Sequence, residues 1–116
     1  MNSISIFGVF VADLCFFGNK IPTKGETVLG NKHLVGPGGK GSNQAIAAAR
    51  LDGNVKFITK IGKDSHAEMA LSLYKEAGVN TGSIIQDPSL STGVAGIMID
   101  ENGHHPINIV AGAAGH

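Results

Sequence analysis

Apolar residues recur along the chain in short segments whose spacing is typical of an alternating α/β protein. The first segment, Ser3 to Val11, alternates and then becomes continuously apolar, which predicts a strand buried on both faces that ends at Asp13. Residues 14–17 are apolar and precede a Gly18-Asn19 turn signal, and residues 27–35 then mix apolar and polar positions. We expect short, half-exposed strands of an antiparallel flap in this region.

Two helices are predicted on either side of a second buried strand. Small apolar residues from Ser42 to Leu51 predict a helix that can pack closely on a sheet. Residues 55–61 form the apolar segment of the strand. Ser65-His66-Ala67-Glu68 is a capping-box sequence, and the apolar positions that follow it have helical spacing up to Gly78.

Three further strands are predicted at 83–86, 93–99 and 106–110, with a hairpin turn at 100–103 between the last two. The core order is then β-α-β-α-β, which predicts a parallel sheet with right-handed crossovers and a ligand at the carboxyl ends of the strands. Small residues fill positions 111–116, and we expect no helix after them. The predicted α/β core is therefore incomplete.

The amino-acid composition narrows the classes of molecule that the protein could bind. A length of 116 residues suits a single small domain, so we treat 1–116 as one unit, and 42% hydrophobic residues are enough for a core. Nine basic residues balance nine acidic ones, which argues against a nucleic-acid or anionic-membrane partner. A neutral small molecule fits this balance better.

Cysteine content and hydropathy bear on location. The one cysteine, Cys15, cannot form an internal disulfide, and the chain does not open with a leader-like segment. No apolar stretch approaches the roughly 20 residues that span a bilayer. We therefore expect a cytoplasmic protein with no membrane association.

The glycine-rich segment GPGGKGSNQA, residues 36–45, is the main candidate site. It contains G-x-G-x-x-G, but a dinucleotide site would need a preceding core strand and an acidic residue near position 61, which is Ile61. A purely structural alternative is that the glycines permit a tight entry into a closely packed helix. That alternative leaves Lys40 and Asn43 unexplained, since a helix N-terminus already favours oxygen-rich ligands.

The segment from Gly38 to Ala45 resembles the amino-terminal signature of the ribokinase-like sugar kinases, the phosphofructokinase-B superfamily. Five other segments resemble the family in the same order, so the resemblance covers essentially the whole chain. They are Gly8 to Asp13, Pro22 to Thr27, Lys60 to Asp64, Ser91 to Ala95 and Ala111 to Ala113.

The resemblance implies a three-layer α/β sandwich, here incomplete, with a small antiparallel β-sheet lid formed by about 14–35 and 92–110. It implies transfer of the γ-phosphoryl group of ATP, with Mg, to a hydroxymethyl group of a sugar, ribose being favoured. By position, Asp13 would accept hydrogen bonds from sugar hydroxyls. Other hydroxyls would be held by Gly39, Lys40, Gly41 and Asn43. Family lids often meet across a homodimer, so we expect one here.

The chain departs from the family pattern at several points. Val11 replaces an asparagine typical of ribokinases, which weakens the case for ribose, and Asp52 replaces a small residue. The G-A-G-D motif, the ATP-binding loop and the cation-site residues of the family have no counterpart in the sequence. We therefore expect no catalytic residue and no site for ATP or Mg in this chain, which alone would be inactive. The alternative is a free-standing sugar-binding or interaction module without catalysis.

Other candidate residues have simpler structural explanations. Asp13 could be a turn residue that ends a strand, because aspartate often bonds to its own backbone in turns. His104 and His105 are adjacent in a predicted strand, so their side chains point to opposite faces and do not suit one metal ion. Ile97 and Ile109 could contact the apolar face of a sugar or simply pack in the sheet.

Overall fold

The computed structural model describes residues 3–116, which form two sheets, two α-helices and a terminal 3₁₀ turn. In chain order the elements are β1 (Ser3–Phe7), β2 (Val11–Phe17), β3 (Lys32–Gly38), α1 (Lys40–Arg50), β4 (Asn54–Ile61), α2 (Ser65–Ala77), β5 (Ile84–Gln86), β6 (Gly93–Ile99), β7 (Ile107–Val110) and the 3₁₀ turn (Gly112–Gly115).

The core is the predicted β-α-β-α-β unit. Its sheet has the order β1-β4-β5 with both pairings parallel. Val55, Phe57 and Ile61 alternate along β4 and are buried together with residues of both helices. The prediction of a parallel sheet with crossover helices is therefore confirmed.

The two helices begin in different ways. Asp64, and not Ser65 of the expected capping box, caps α2, because its Oδ1 accepts the Ala67 N–H at 2.9 Å. Gly78 ends the helix in the left-handed conformation, as expected. Helix α1 has no side-chain cap and follows β3 through a single residue, Gly39.

The second sheet has the order β3-β2-β6-β7. The β2–β3 and β6–β7 pairs are antiparallel, but the central β2–β6 pair is parallel. The sheet is thus mixed, where an antiparallel lid was expected. The reason is that β2 and β6 follow β1 and β5, two strands that point the same way in the core sheet.

The segment expected to be one buried strand from Ser3 to Val11 is in fact two strands. At the break, the Gly8 N–H donates to the Ile58 carbonyl at 3.2 Å, and a Cβ on Gly8 would lie 3.0 Å from Gly41 Cα. The close approach to α1 bends the chain there. Strand β1 is also less buried than predicted, with Phe7 84% exposed, because β4 is its one neighbour within residues 3–116.

Two further differences between the prediction and the structure concern loops and turns. The strand expected at 27–35 begins at Lys32, and an ion pair of 2.8 Å joins Lys20 to Glu26 in the preceding loop. The terminal 3₁₀ turn was not predicted, and its Ala113 is fully buried. Across residues 3–116, no helix is both long enough and apolar enough to cross a membrane.

Candidate functional site

Asp13 lies inside β2 and does not end a strand. Its backbone is in register with Gly36 of β3 on one side and Ala95 of β6 on the other. The side chain is half-buried, and burial raises the pKa of the carboxyl group above its ordinary value. The turn-residue explanation is therefore wrong, and a partly desolvated carboxylate stands in the middle of the sheet.

The carboxylate of Asp13 occupies the space that a side chain at position 38 would need. A Cβ atom on Gly38 would lie 2.6 Å from Cγ and 2.7 Å from Oδ2 of Asp13. In contrast, a Cβ on Gly36, in the same strand, would meet nothing within 4 Å. Because the Asp13 carboxylate fills this space, position 38 has room only for glycine.

Gly39 turns the chain from β3 directly into α1. Its φ of 95° is a conformation that side chains disfavour, and a Cβ there would collide with the carbonyl oxygen of Val9. Its carbonyl accepts the Asn43 N–H at 3.0 Å, the first hydrogen bond of the helix. The glycine therefore brings the N-terminus of α1 beside the end of β3.

The first turn of α1 carries the remaining predicted residues. Lys40 and Asn43 are exposed, and Gly41 packs against Gly8. Within residues 3–116, no ion pair involves Asp13 or Lys40. The arrangement offers an acceptor-only carboxylate against Gly38, the strand residue that leads into α1, and a first helical turn with a lysine, an amide that can donate and unpaired N–H groups.

Around Asp13, the face of the second sheet that carries it is formed by glycine and apolar residues, with Lys32 at the far end of the same face. In the register of the sheet, Asp13 lies opposite Ala95, which in turn lies opposite Ile109. Ile97 is two residues from Ala95 and so points to the same face. Ile109 is 62% exposed, so an apolar surface stands open beside the carboxylate. That Ile97 and Ile109 contact a sugar stays a prediction.

One pair beneath the site was not predicted from the sequence. Ser42 Oγ and Tyr74 Oη lie 2.6 Å apart, and both residues are fully buried. Ser42 stands between two predicted site residues in α1, and Tyr74 belongs to α2. The sequence signal for this pair was Ser42, a polar residue on the helix face that is otherwise small and apolar. Nothing in the sequence indicated that Tyr74 is its partner.

The clefts of the molecule do not coincide with Asp13. The larger, of about 550 Å³, lies at the far end of the second sheet, where Phe16, Phe17 and Lys32 contribute to its lining. A smaller groove of about 250 Å³ includes Asn43, Pro37 and Arg50. Asp13 lines neither of these two clefts, whereas Asn43, another residue of the candidate site, lines the smaller one.

A metal centre has no support in the side chains. Residues 3–116 contain no group of three His, Cys, Asp or Glu that could hold a metal ion. His104 Nδ1 lies 2.9 Å from Asp100 Oδ2, and His105 Nδ1 lies 2.9 Å from the Gly103 carbonyl oxygen. Both histidines are exposed at the hairpin turn.

Comparison with known sequences identifies relatives. The sequence profile of the pfkB family carbohydrate kinases matches residues 1–116. Deoxyribokinase from Salmonella typhi is 37% identical over 110 residues, which cover 95% of this chain and 36% of that protein. Ribokinase from Bacillus subtilis is 39% identical over 113 residues, which cover 97% of this chain and 38% of that protein. The chain thus spans little more than a third of these relatives' length.

Solved structures give the same result. Ribokinase from Giardia lamblia matches with a TM-score of 0.89 and 34% identity, covering 97% of this chain and 37% of that one. Ribokinase from Arabidopsis thaliana, complexed with ribose and ATP, matches with a TM-score of 0.87 and 29% identity, covering 96% and 36%. The fold is a ribokinase-like α/β fragment, as the sequence resemblance implied, and the chain belongs to the pfkB family of carbohydrate kinases.

Proposed function

We propose that this chain is the sugar-binding part of an ATP-dependent kinase that phosphorylates a hydroxymethyl group of a sugar. The observation that carries the proposal is the Asp13 carboxylate seated against Gly38, beside the exposed first turn of α1. A carboxylate that accepts, next to groups that donate, is the complement of a ligand rich in hydroxyl groups.

Each site residue has a role in this proposal. Asp13 accepts hydrogen bonds from two neighbouring sugar hydroxyls, since an ionised carboxylate offers acceptors on both oxygens. Lys40 and Asn43 donate to other hydroxyls from the start of α1. Gly39 and Gly41 contribute backbone N–H groups at the helix start, and their lack of side chains lets the first turn lie against Val9 and Gly8.

Ribose is the favoured substrate. The names of the relatives support a pentose, since they are ribokinases and deoxyribokinases. Val11, where an asparagine was expected, is in register with Gly38 at the base of the site and cannot hydrogen-bond to a hydroxyl. A panel of ribose, 2-deoxyribose and fructose therefore belongs in the first binding experiment.

The complete enzyme would use ATP and Mg, whereas the 116-residue chain alone is inactive. ATP supplies the phosphoryl group, and relatives in the solved structures include complexes with ATP. Mg is usually held by one or two carboxylates together with substrate phosphates, and the family motifs that would supply these groups have no counterpart in the sequence. We therefore assign neither a catalytic base nor a nucleotide contact to this chain.

The proposal also includes a cytoplasmic location and a homodimer. The dimer forms through the second sheet, which acts as the lid. The lid has two open edges, β3 and β7, and apolar side chains that are half or more exposed, including Leu34, Ile107 and Ile109. Exposed edges and apolar patches of this kind favour association. A constant monomeric mass by light scattering across a dilution series would contradict the dimer.

Titration calorimetry of the 116-residue chain with the sugar panel tests the proposed function. We expect binding of ribose by the wild-type chain and by Asp52→Asn, a control at an exposed aspartate, and loss of binding in Asp13→Ala. Equal affinity of Asp13→Ala and the wild type would overturn the site. Sugar phosphorylation by the purified chain with MgATP, abolished in Asp13→Ala, would overturn its inactivity.

A further inference from the structure

Tyr74 is a buried aromatic residue that lies beneath both halves of the candidate site. Its ring packs edge-to-face on Phe10, with centroids 6.2 Å apart, and on Phe57, with centroids 5.4 Å apart. Its hydroxyl lies 2.6 Å from Ser42 Oγ. The residue belongs to α2 and is fully buried, so it does not itself contact a ligand.

The contacts of Tyr74 reach the site in two directions. Phe10 directly precedes β2, the strand that carries Asp13, and its Cα would lie 3.4 Å from a Cβ on Gly39. Ser42 lies in the first turn of α1, two residues after Lys40. One side chain thus supports both the strand with the acceptor and the helix start with the donors.

We propose that Tyr74 is a positioning residue for the sugar site, acting through its hydrogen bond to Ser42 and its contact with Phe10. This inference rests on the proposed function, because it assigns the positioned groups to sugar binding. The hydrogen bond between the two hydroxyls fixes the distance between α1 and α2. The tyrosine ring, packed on Phe10, fixes the position of the start of β2. Together these contacts set the separation of Asp13 from the first turn of α1.

The hydroxyl pair has the properties that such a role requires. Burial raises the pKa of Tyr74 to about 12, against a smaller opposing effect of the Ser42 hydrogen bond, so the hydroxyl keeps its proton at every physiological pH. Neither hydroxyl is exposed to water. Removing one of them deprives the other, still buried, of this partner, and we expect the first turn of α1 to shift in response.

Three variants of the 116-residue chain test the proposal: Tyr74→Phe, Ser42→Ala and the double variant, with Ser72→Ala as a control on the exposed face of α2. The first readout is amide hydrogen exchange at Asn43, whose N–H bonds to the Gly39 carbonyl. The second is the Kd for ribose, measured well below the melting temperature of each variant. The Ala113 amide reports effects that are not local to α1, because Ala113 is fully buried and its N–H donates to the Ser91 carbonyl at 2.7 Å.

We expect Tyr74→Phe to accelerate exchange at Asn43, but not at Ala113, and to weaken ribose binding about tenfold. The double variant loses the same single hydrogen bond, so we expect its values to match those of the more impaired single variant. Ser72→Ala changes neither. Equal acceleration at Asn43 and Ala113, or a double variant as impaired as the sum of the single ones, would reduce Tyr74 to a general stabilising residue and overturn the proposal.

The two hypotheses fail in distinguishable ways. If the wild-type chain binds no sugar in the panel, the proposed function of this chain fails, while local exchange at Asn43 still decides whether Tyr74 holds the first turn of α1. If ribose binds to the wild-type chain and to Tyr74→Phe with the same affinity, the sugar site stands and the positioning role of Tyr74 is wrong.

Discussion

The carboxylate of Asp13 stands where a side chain at position 38 would have to be. This relationship joins the middle of β2 to the last residue of β3, and it makes Gly38 part of the site without any polar group of its own. The glycine-rich segment therefore contributes shape, by leaving room for the Asp13 carboxylate two residues before α1 begins.

Substitution of Gly38 by alanine tests this relationship. The new methyl group would overlap the carboxylate, so Asp13 has to rotate away, and we expect ribose affinity to fall at least about tenfold. Titration calorimetry measures the loss. Gly36→Ala is the matched control, because a methyl group there meets nothing within 4 Å. Equal affinity of the two variants would refute the steric account.

Removing the charge of Asp13 should stabilise the chain while abolishing sugar binding. Burial raises the pKa of this carboxyl group, so ionisation is less favourable in the folded state than in the unfolded state. Asp13→Asn removes that cost, and we expect its melting temperature at pH 7 to lie about 2 °C above the wild type.

The sign of the pH dependence checks the cause of that effect. Below the unfolded pKa of aspartate, near 3.9, the wild-type carboxyl is neutral in both states and the two chains should melt together. As the pH rises through the raised folded pKa, the wild type loses stability relative to Asp13→Asn. A difference that persists unchanged at pH 3 would show that burial of the charge is not its source.

Much of the architecture was predictable because the decisive signals are local. Strand β6 has the predicted bounds, and α2 begins and ends within a residue of its sequence signals. The break between β1 and β2 was not predictable from periodicity, since the apolar run continues through it. A tertiary contact, Gly8 against Gly41, decides it. The parallel β2–β6 pairing likewise depends on strands far apart in the chain.

The candidate site was predictable in part for a similar reason. Asp13 and the residues from Gly39 to Asn43 were found through a motif, and the structure brings the start of α1 next to the strand beside Asp13. Ser42 and Tyr74 were missed as a pair, because each fits a buried helical face on its own. Their hydrogen bond exists only once the two helices are packed.

The titration of Tyr74 gives a direct test of its burial. The chain has a single tyrosine, so the ultraviolet absorbance of tyrosinate reports this residue alone. We expect a midpoint near the pKa of about 12 in the folded chain and near 10 in denaturant. A midpoint near 10 in the folded chain would contradict the buried Ser42 pair.

The raised pKa of Tyr74 also predicts a loss of stability in alkali. The unfolded chain releases the tyrosine proton near pH 10 while the folded chain retains it until about pH 12. Stability should therefore be fully present below pH 10 and decrease as the pH rises between these values. Denaturant unfolding of Tyr74→Phe should lack this tyrosine-dependent decrease.

Asp64 should stabilise the junction between α2 and the second sheet. Burial alone would raise the pKa of its carboxyl group, but hydrogen bonds from the N–H and hydroxyl of Thr92 and from the Ala67 N–H outweigh it and lower the pKa. We expect Asp64→Asn to lose about 1 kcal/mol of unfolding free energy at pH 7, measured in urea, because the amide nitrogen cannot accept.

The loss should disappear in acid. A lowered folded pKa means that the contribution of Asp64 is present above the unfolded pKa and lost as the pH falls through the folded value. The variant and the wild type should then converge below about pH 4. Asp52→Asn, at an exposed position in the turn after α1, is the control and should match the wild type throughout.

The parallel pairing of β2 with β6 has a consequence for the order of folding. Val11 is in register with Gly93, so the strand that carries Asp13 finds this neighbour only after about 80 further residues have been made. At roughly 5–20 residues per second on the ribosome, this is a delay of several seconds. Contacts between such distant positions also carry a high loop-closure entropy and slow the search for the native state. Until β6 is available, β2 can pair with β3 along one edge, and its other edge stays open in the nascent chain.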